Sequence, residues 1–372
     1  MSGELGPERL DLEQRYRQVL RLLPGYYRDK WEQDMVAAFL DSWLTGDAED
    51  DKAILEFCRP TWPEVVSVIG LAARLYLGGT GAPRRYFAWG QAVRGVVLIL
   101  LLMHAARSVD AFVRLAWARR LFGVPGPPAG MLLAPPGGIW TAVFHLVFYA
   151  WIMIFVLVLL GHYRTARMLT ALAVIPDLVV LLHAQLAGTL VAPFGSWTFW
   201  VLFDLGLLLA MTAFYRGAPP APRLPWLLAL PACYLLMCLP VLLLQVTSNL
   251  AWLPDFPGLC CFLVAVACLA HAPRALAHAP GAWSPPSTGT GTRSLTLALL
   301  AAVTAAYRLV SLGDYQHNPH LMTVSLAELL ILVGAAALVA PDAARAQQAI
   351  TAAPPPHPTS ASAPGTKPRW PI

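Results

Sequence analysis

Charged and titratable side chains set inside long apolar runs are the residues here whose chemistry most needs a reason. Asp177 and Asp204 each lie near the middle of such a run. An ionised side chain at the centre of a bilayer helix costs at least about 2.5–3.5 kcal/mol by insertion scales, so each carboxylate requires a partner or a role. The two runs are joined by a tight turn near residues 192–194. Each Asp is about ten residues from a helix end, roughly 15 Å by helical rise. Two carboxylates at similar depth on one hairpin could share a proton, because like charges held together in low dielectric do not both ionise. Pro176, directly before Asp177, loosens the local backbone hydrogen bonding. His183 lies six residues beyond Asp177 and so projects from a different face. Three readings of Asp177, Asp204 and His183 stay open: an ion or proton site, hydrogen-bonded carboxylates that glue helices together, or a ligand-sensing pocket.

Arg308 and Glu328 form a second pair, on runs that flank a turn near residue 316. Helix rise puts Arg308 about 12 Å and Glu328 about 18 Å from that turn. The reach of arginine closes the difference, so a structural ion pair is expected. Other constellations are weaker. Asp314, His317 and His320 share one loop, and three ligands in a loop make a poor metal site. Five of the six cysteines lie in apolar runs, without a CxxC pair, and read as small buried hydrophobes. His104 and His145 are lone histidines in apolar runs. Motifs for nucleotide binding, zinc hydrolysis and serine hydrolysis are missing. No catalytic, cofactor-binding or metal site is therefore assigned, and no enzymatic activity is expected.

The elements that carry these residues follow from composition. The chain has 372 residues, 57% hydrophobic and 13% charged, with a mean hydropathy of +0.58. A soluble domain carries roughly 25% charged residues, so a water-soluble fold is excluded as the main body. Eight runs approach the roughly 20 apolar residues that a bilayer core demands. They are about 89–109, 139–160, 168–191, 195–215, 225–247, 257–272, 294–312 and 322–340. The first is the weakest, since Arg94 and Arg107 bracket its apolar centre; both are expected to snorkel toward headgroups. Basic residues mark every second loop: Arg84 and Arg85, Arg164 and Arg167, Arg216 and Arg223, Arg274 and Arg293, and Arg345 after the last run. The alternate loops 192–194, 248–256 and 313–321 contain no Lys or Arg. By the positive-inside rule both termini face the cytoplasm of a multi-pass plasma-membrane protein. Loop 108–122 disagrees with its arginines, and reads as an amphipathic continuation of the first span. The formal charge is +5, and its basic excess sits in the membrane part, so it is no argument for nucleic-acid binding. The Arg-, Ala- and Pro-rich usage resembles that of a high-GC bacterial genome.

Residues 1–88 read as a three-helix unit. Tyr16, Val19, Leu20 and Leu23 follow the spacing of one buried helical face over about 11–23, and Pro24-Gly25 ends it. Trp31, Met35, Phe39 and Trp43 recur every four residues over about 27–44. Thr61-Trp62-Pro63-Glu64 is a capping box that opens a third helix. The acidic run Asp47–Asp51 lacks the Gly and Glu that a calcium loop needs, and reads as a solvated linker. Residues 273–293 and 341–372 are rich in Pro and small residues and read as disordered.

The stretch Arg15–Leu40 resembles the signature of the HAAS-type domain, the helical permease-prefix or helix-turn-helix-associated signalling unit of bacterial membrane proteins. Tyr16, the Leu-Arg-Leu-Leu-Pro run ending at Pro24, Tyr27-Arg28, Asp34-Met35 and Phe39-Leu40 carry the likeness. Gln33-Asp34-Met35 departs from the Glu-Glu-Met of many members. The whole chain is similar to polytopic actinobacterial proteins with this prefix. The resemblance implies a cytoplasmic signalling or assembly module beside membrane spans, of a kind that accompanies PadR-type regulators or transporter subunits. It carries over no catalytic residue.

The expected architecture is all-α: a cytoplasmic three-helix unit at 1–88, a transmembrane bundle at 89–340 and a tail at 341–372. The expected function is sensory or regulatory, with the bilayer as one partner and a cytosolic regulator or transporter subunit engaged through 1–88. The alternative is a transporter or permease-like subunit using Asp177 and Asp204.

Overall fold

A computed structural model describes residues 7–43, 59–79, 82–118, 139–186, 196–215, 221–246, 256–277, 288–315 and 318–352. Among these residues all regular structure is helical. The helices are α1 (Pro7–Leu20), α2 (Gly25–Trp43), α3 (Trp62–Tyr76), α4 (Arg84–Ala118), α5 (Ile139–Leu160), α6 (Tyr163–Leu186) and α7 (Ser196–Ala210). After a 3-10 turn at Met211–Ala213 come α8 (Arg223–Val246), α9 (Phe256–Ala277), α10 (Thr288–Ser311) and α11 (Pro319–Ala352).

The first three helices share one core, in which Leu12, Tyr16 and Leu20 of α1 meet Val36, Phe39 and Leu40 of α2 and Val68, Ala72 and Leu75 of α3. Tyr16 stacks on Phe39 with ring centroids 3.9 Å apart. Arg17 ties α1 to α2 by bonding both Glu13 and Glu32. The third helix starts where the capping box put it, with the Thr61 N–H donating to Glu64 Oε2 at 2.7 Å.

The eight apolar runs correspond to α4 through α11. Among the described residues, three helical stretches are long and apolar enough to cross a membrane: Arg85–Val113, Gly291–Ser311 and Pro319–Arg345. Within the described residues, Tyr149–Leu160, Val201–Ala213, Arg223–Leu236 and Gly258–Ala272 are further apolar helical stretches. Large apolar side chains such as Leu172, Leu186, Leu202, Leu228 and Leu330 stand exposed on the outside of the bundle. Patches of this kind are costly in water and are ordinary against lipid.

Helix α4 organises the bundle. It packs on α3 and the 3-10 turn at one end and on α5, α7, α8, α10 and α11 along its length. Its adjacent residues Val96 and Val97 feed different cores. Val97, Leu101 and Ala105 join Ile154 and Phe155 of α5, Ala173 of α6 and Leu207 of α7. Val96 joins Cys261 and Cys268 of α9, Leu300 of α10 and Leu332 of α11. One helix thus divides two half-bundles, and Gly95 lets α10 approach so closely that an added Cβ would lie 2.8 Å from Thr296 Cγ2.

Three expectations are corrected. Arg94 does not snorkel; it is buried inside the bundle at 5% exposure, and its Nε donates to the Ala213 carbonyl. The last helix does not stop near residue 340 but continues through Pro341 to Ala352. The Ala-rich sequence favours helix, Ala343 packs against Ala92 and Leu295, and Asp342 accepts from Ser294. Helix also occupies both ends of the loop expected over 273–293, since α9 reaches Ala277 and α10 begins at Thr288.

Candidate functional site

An aspartate inside the bundle meets a histidine from another helix. Asp204 on α7 is 4% exposed, and its Oδ1 lies 3.5 Å from Nε2 of His104 on α4. That is a close approach rather than a formed hydrogen bond, and Oδ1 has no hydrogen-bond partner among the described residues. The His104 ring stacks on Trp151 of α5, with centroids 4.3 Å apart, and has Phe203 6.0 Å away. The helix that supplies the histidine is held by its apolar neighbours Leu101, Leu102 and Ala105, all buried in the first core.

Asp177 on α6 is half-buried and lies within electrostatic reach of Asp204, as does Arg107, one helical turn along α4 from His104. The structure therefore brings Asp177 and Asp204 into one neighbourhood and adds His104 and Arg107 to it. His183 falls in α6, but its side chain lies outside the described residues. A cavity of about 40 Å³ opens beside this cluster, lined by His104, Arg107, Phe199, Phe203, Thr304 and Tyr307 among others. Phe199 stacks on Tyr307 across it, with centroids 5.3 Å apart. The arrangement can hold or pass a proton between imidazole and carboxylate, and the cavity beside it is of a size for water rather than for a larger ligand.

The same helix leads from Asp204 to a capped end. Asp204 lies nine residues before Ala213, roughly 13 Å along the helix. Carbonyls at a helix C-terminus lack intrahelical partners and carry partial negative charge. Two arginines satisfy them. Arg167 donates from Nε to Met211 O at 3.2 Å and from Nη2 to Phe214 O, while Arg94 Nε donates to Ala213 O at 2.8 Å. Two residues on, the Tyr215 hydroxyl donates to Gly78 O at 2.5 Å, just after α3. Gly78 is in the left-handed region at φ 81°, and a Cβ there would lie 2.7 Å from the Phe87 Cα. Gly90 is still tighter, since its Cβ would lie 1.9 Å from Leu77 O. Both glycines let the α3–α4 corner close against the bundle.

On the other half-bundle, Arg308 of α10 is 2% exposed and its Nη2 bonds Glu328 Oε2 on α11. Gly258 of α9 faces the same carboxylate, and a Cβ there would lie 2.4 Å from Oε1. About 20 Å along the same three helices, toward their other ends, a polar network joins them. His271 Nε2 is 2.9 Å from Ser294 Oγ, and Ser294 donates to Asp342 Oδ2 at 2.6 Å. Its residue types are those of a hydrolase triad, but the serine occupies the middle, fully buried and bonded to the carboxylate. That order ties α9, α10 and α11 together and does not activate the hydroxyl.

Asp314 and His320 flank the loop between α10 and α11, and His317 lies outside the described residues. No group of three metal-ligating side chains occurs among the described residues. His104 was hidden from sequence reasoning because it stands 100 positions from Asp204; only its burial within an apolar run hinted at a role. Neither family models, curated proteins nor solved structures give a match to this chain.

Proposed function

We propose that this protein is a multi-pass membrane sensor or regulator that couples an intramembrane site to its N-terminal helices. One observation carries the reading: a single helix, α7, holds Asp204 against His104 and runs into a turn whose carbonyls accept from Arg94 and Arg167 and whose Tyr215 hydroxyl donates to Gly78 O. A change in charge or occupancy at the Asp204–His104 contact shifts α7, and its capped end moves the α3–α4 corner. The likeness of Arg15–Leu40 to the HAAS-type domain supports a cytosolic regulator, or a transporter subunit, as the partner of residues 1–88. The alternation of basic loops supports about eight spans with both termini in the cytoplasm.

The test is amide hydrogen exchange over residues 11–76 of the full chain in lipid discs, comparing the natural protein with Asp204→Asn and His104→Gln. Altered exchange across α3 is the expected outcome. Unchanged exchange removes the coupling. The second reading, a transporter or permease-like subunit, is favoured by Asp177 lying near Asp204 beside a cavity. It requires substrate flux in proteoliposomes that Asp204→Asn abolishes.

A further inference from the structure

The corner between α3 and α4 gathers positive charge without acidic compensation. Arg167 and Arg94 both donate to carbonyls of residues 211–214. Arg74 is in the last turn of α3, which packs on the same 3-10 turn, and Gly78 beyond it receives the Tyr215 hydroxyl. Arg164 lies one turn before Arg167 on α6, and Arg167 is within electrostatic reach of both Arg74 and Arg164. Among the described residues none of these four arginines has a carboxylate partner. Arg94 is the most constrained of them. Its guanidinium faces the rings of Tyr215 and Phe87, 5.1 and 6.0 Å from their centroids, while Nη1 and Nη2 are buried with no hydrogen-bond partner among the described residues. Arg74 and Arg164, in contrast, are exposed.

Like charges brought together by folding repel, and a fixed guanidinium in low dielectric raises that cost. An anion held between Arg74 and Arg164 offsets it. Guanidinium pairs favour phosphate oxygens, through parallel N–H donors. In the orientation proposed above, this corner stands at the level of the inner headgroups, where anionic phosphate is concentrated.

We propose that Arg74 and Arg164, backed by Arg167 and the buried Arg94, form a site for an anionic phosphate group, supplied by a lipid headgroup, that pins the N-terminal helices to the bundle. The bound phosphate spans two elements distant in sequence, α3 and α6, and so closes the corner that α7 also touches. This site rests on the membrane orientation of the preceding reading but not on any signalling role.

The experiment reconstitutes the full chain into discs of phosphatidylcholine alone or with phosphatidylglycerol. Native mass spectrometry reads retained lipid, and thermal unfolding reads stability. Incorporation into the phosphatidylcholine disc checks the membrane reading separately. Phosphatidylglycerol is expected to be retained preferentially and to raise the unfolding temperature. Arg74→Gln and Arg164→Gln should each weaken retention about fivefold, the equivalent of about 1 kcal/mol per basic residue. Arg59→Gln, an exposed arginine before α3, should change it less than about twofold. Inorganic phosphate is added to the phosphatidylcholine discs as a further arm. Equal stabilisation there assigns the site to a soluble phosphate compound and overturns the lipid source. No response to either anion, or an equal loss with Arg59→Gln, overturns the site itself.

Discussion

Replacing Glu328 by Ala tests what holds the second half-bundle together. The substitution leaves Arg308, 2% exposed, without the carboxylate that its Nη2 bonds. Breaking a buried ion pair from one side costs about 3–5 kcal/mol, because the remaining charge stays buried. At about 2–4 °C per kcal/mol for a body of this size, unfolding falls by roughly 6–20 °C. The magnitude belongs to the stranded charge and not to the pair. Arg308→Met with Glu328→Met removes both ions, each of which costs at least about 2.5–3.5 kcal/mol within a span. The double variant should therefore return to within about 1 kcal/mol of the natural protein. Far-ultraviolet circular dichroism of the reconstituted protein, scanned in temperature, measures all three. A Glu328→Ala variant as stable as the natural chain, or a double variant as unstable as the single one, refutes the reasoning. Gly258→Ala should act through the same contact, since its methyl meets the Glu328 carboxylate.

Two further outcomes follow from the N-terminal helices. Gly90→Ala places a methyl onto Leu77 O, a backbone atom that cannot swing away, so the α3–α4 corner should open at a cost of about 1–3 kcal/mol. Faster limited proteolysis between residues 76 and 84 reports it, and an unchanged cleavage rate counts against the close approach. Burial pushes the Tyr26 phenol up from 10.0 to about 12, with Tyr86 and Tyr27 adding and Arg85 opposing. The folded state thus keeps this proton where the unfolded state releases it. Its contribution is complete below pH 10 and is lost as pH rises from about 10 to about 12. An alkaline transition, followed by phenolate absorbance, should move in Tyr26→Phe; an identical transition removes Tyr26 from that role.

Local rules were enough to locate α1, α2 and α3 among the described residues. The four-residue recurrence of Met35, Phe39 and Trp43, the Pro24-Gly25 stop and the capping box at Thr61 each fix structure within a turn or two. Helix rise from a short turn also predicted the contact of Arg308 with Glu328, because a hairpin sets depth by counting. The same counting put Asp177 near Asp204. It could not reach His104, which arrives from α4, a helix two hairpins earlier. Nor could it place Arg94, since hydropathy assigns an arginine near a span end to the headgroups and is blind to a helix end that needs capping. Pro341 misled for a related reason: proline ends many helices, but Ala343 and Asp342 gain enough from packing and hydrogen bonding to carry this one past it.

The 35 residues of α4 extend about 52 Å, well beyond the roughly 40–45 Å of a bilayer with its headgroups. With neighbours along both flanks, this helix is a mast that cannot tilt without disturbing two cores at once. Any displacement between the half-bundles that leaves both cores intact would have to be a sliding or twisting of the shorter helices against it. Of these, α7 both touches the mast at mid-depth and terminates beside its foot. A covalent tether between α4 and α7 would block the shift of α7 that the proposed coupling requires, while leaving the rest of the rigging untouched.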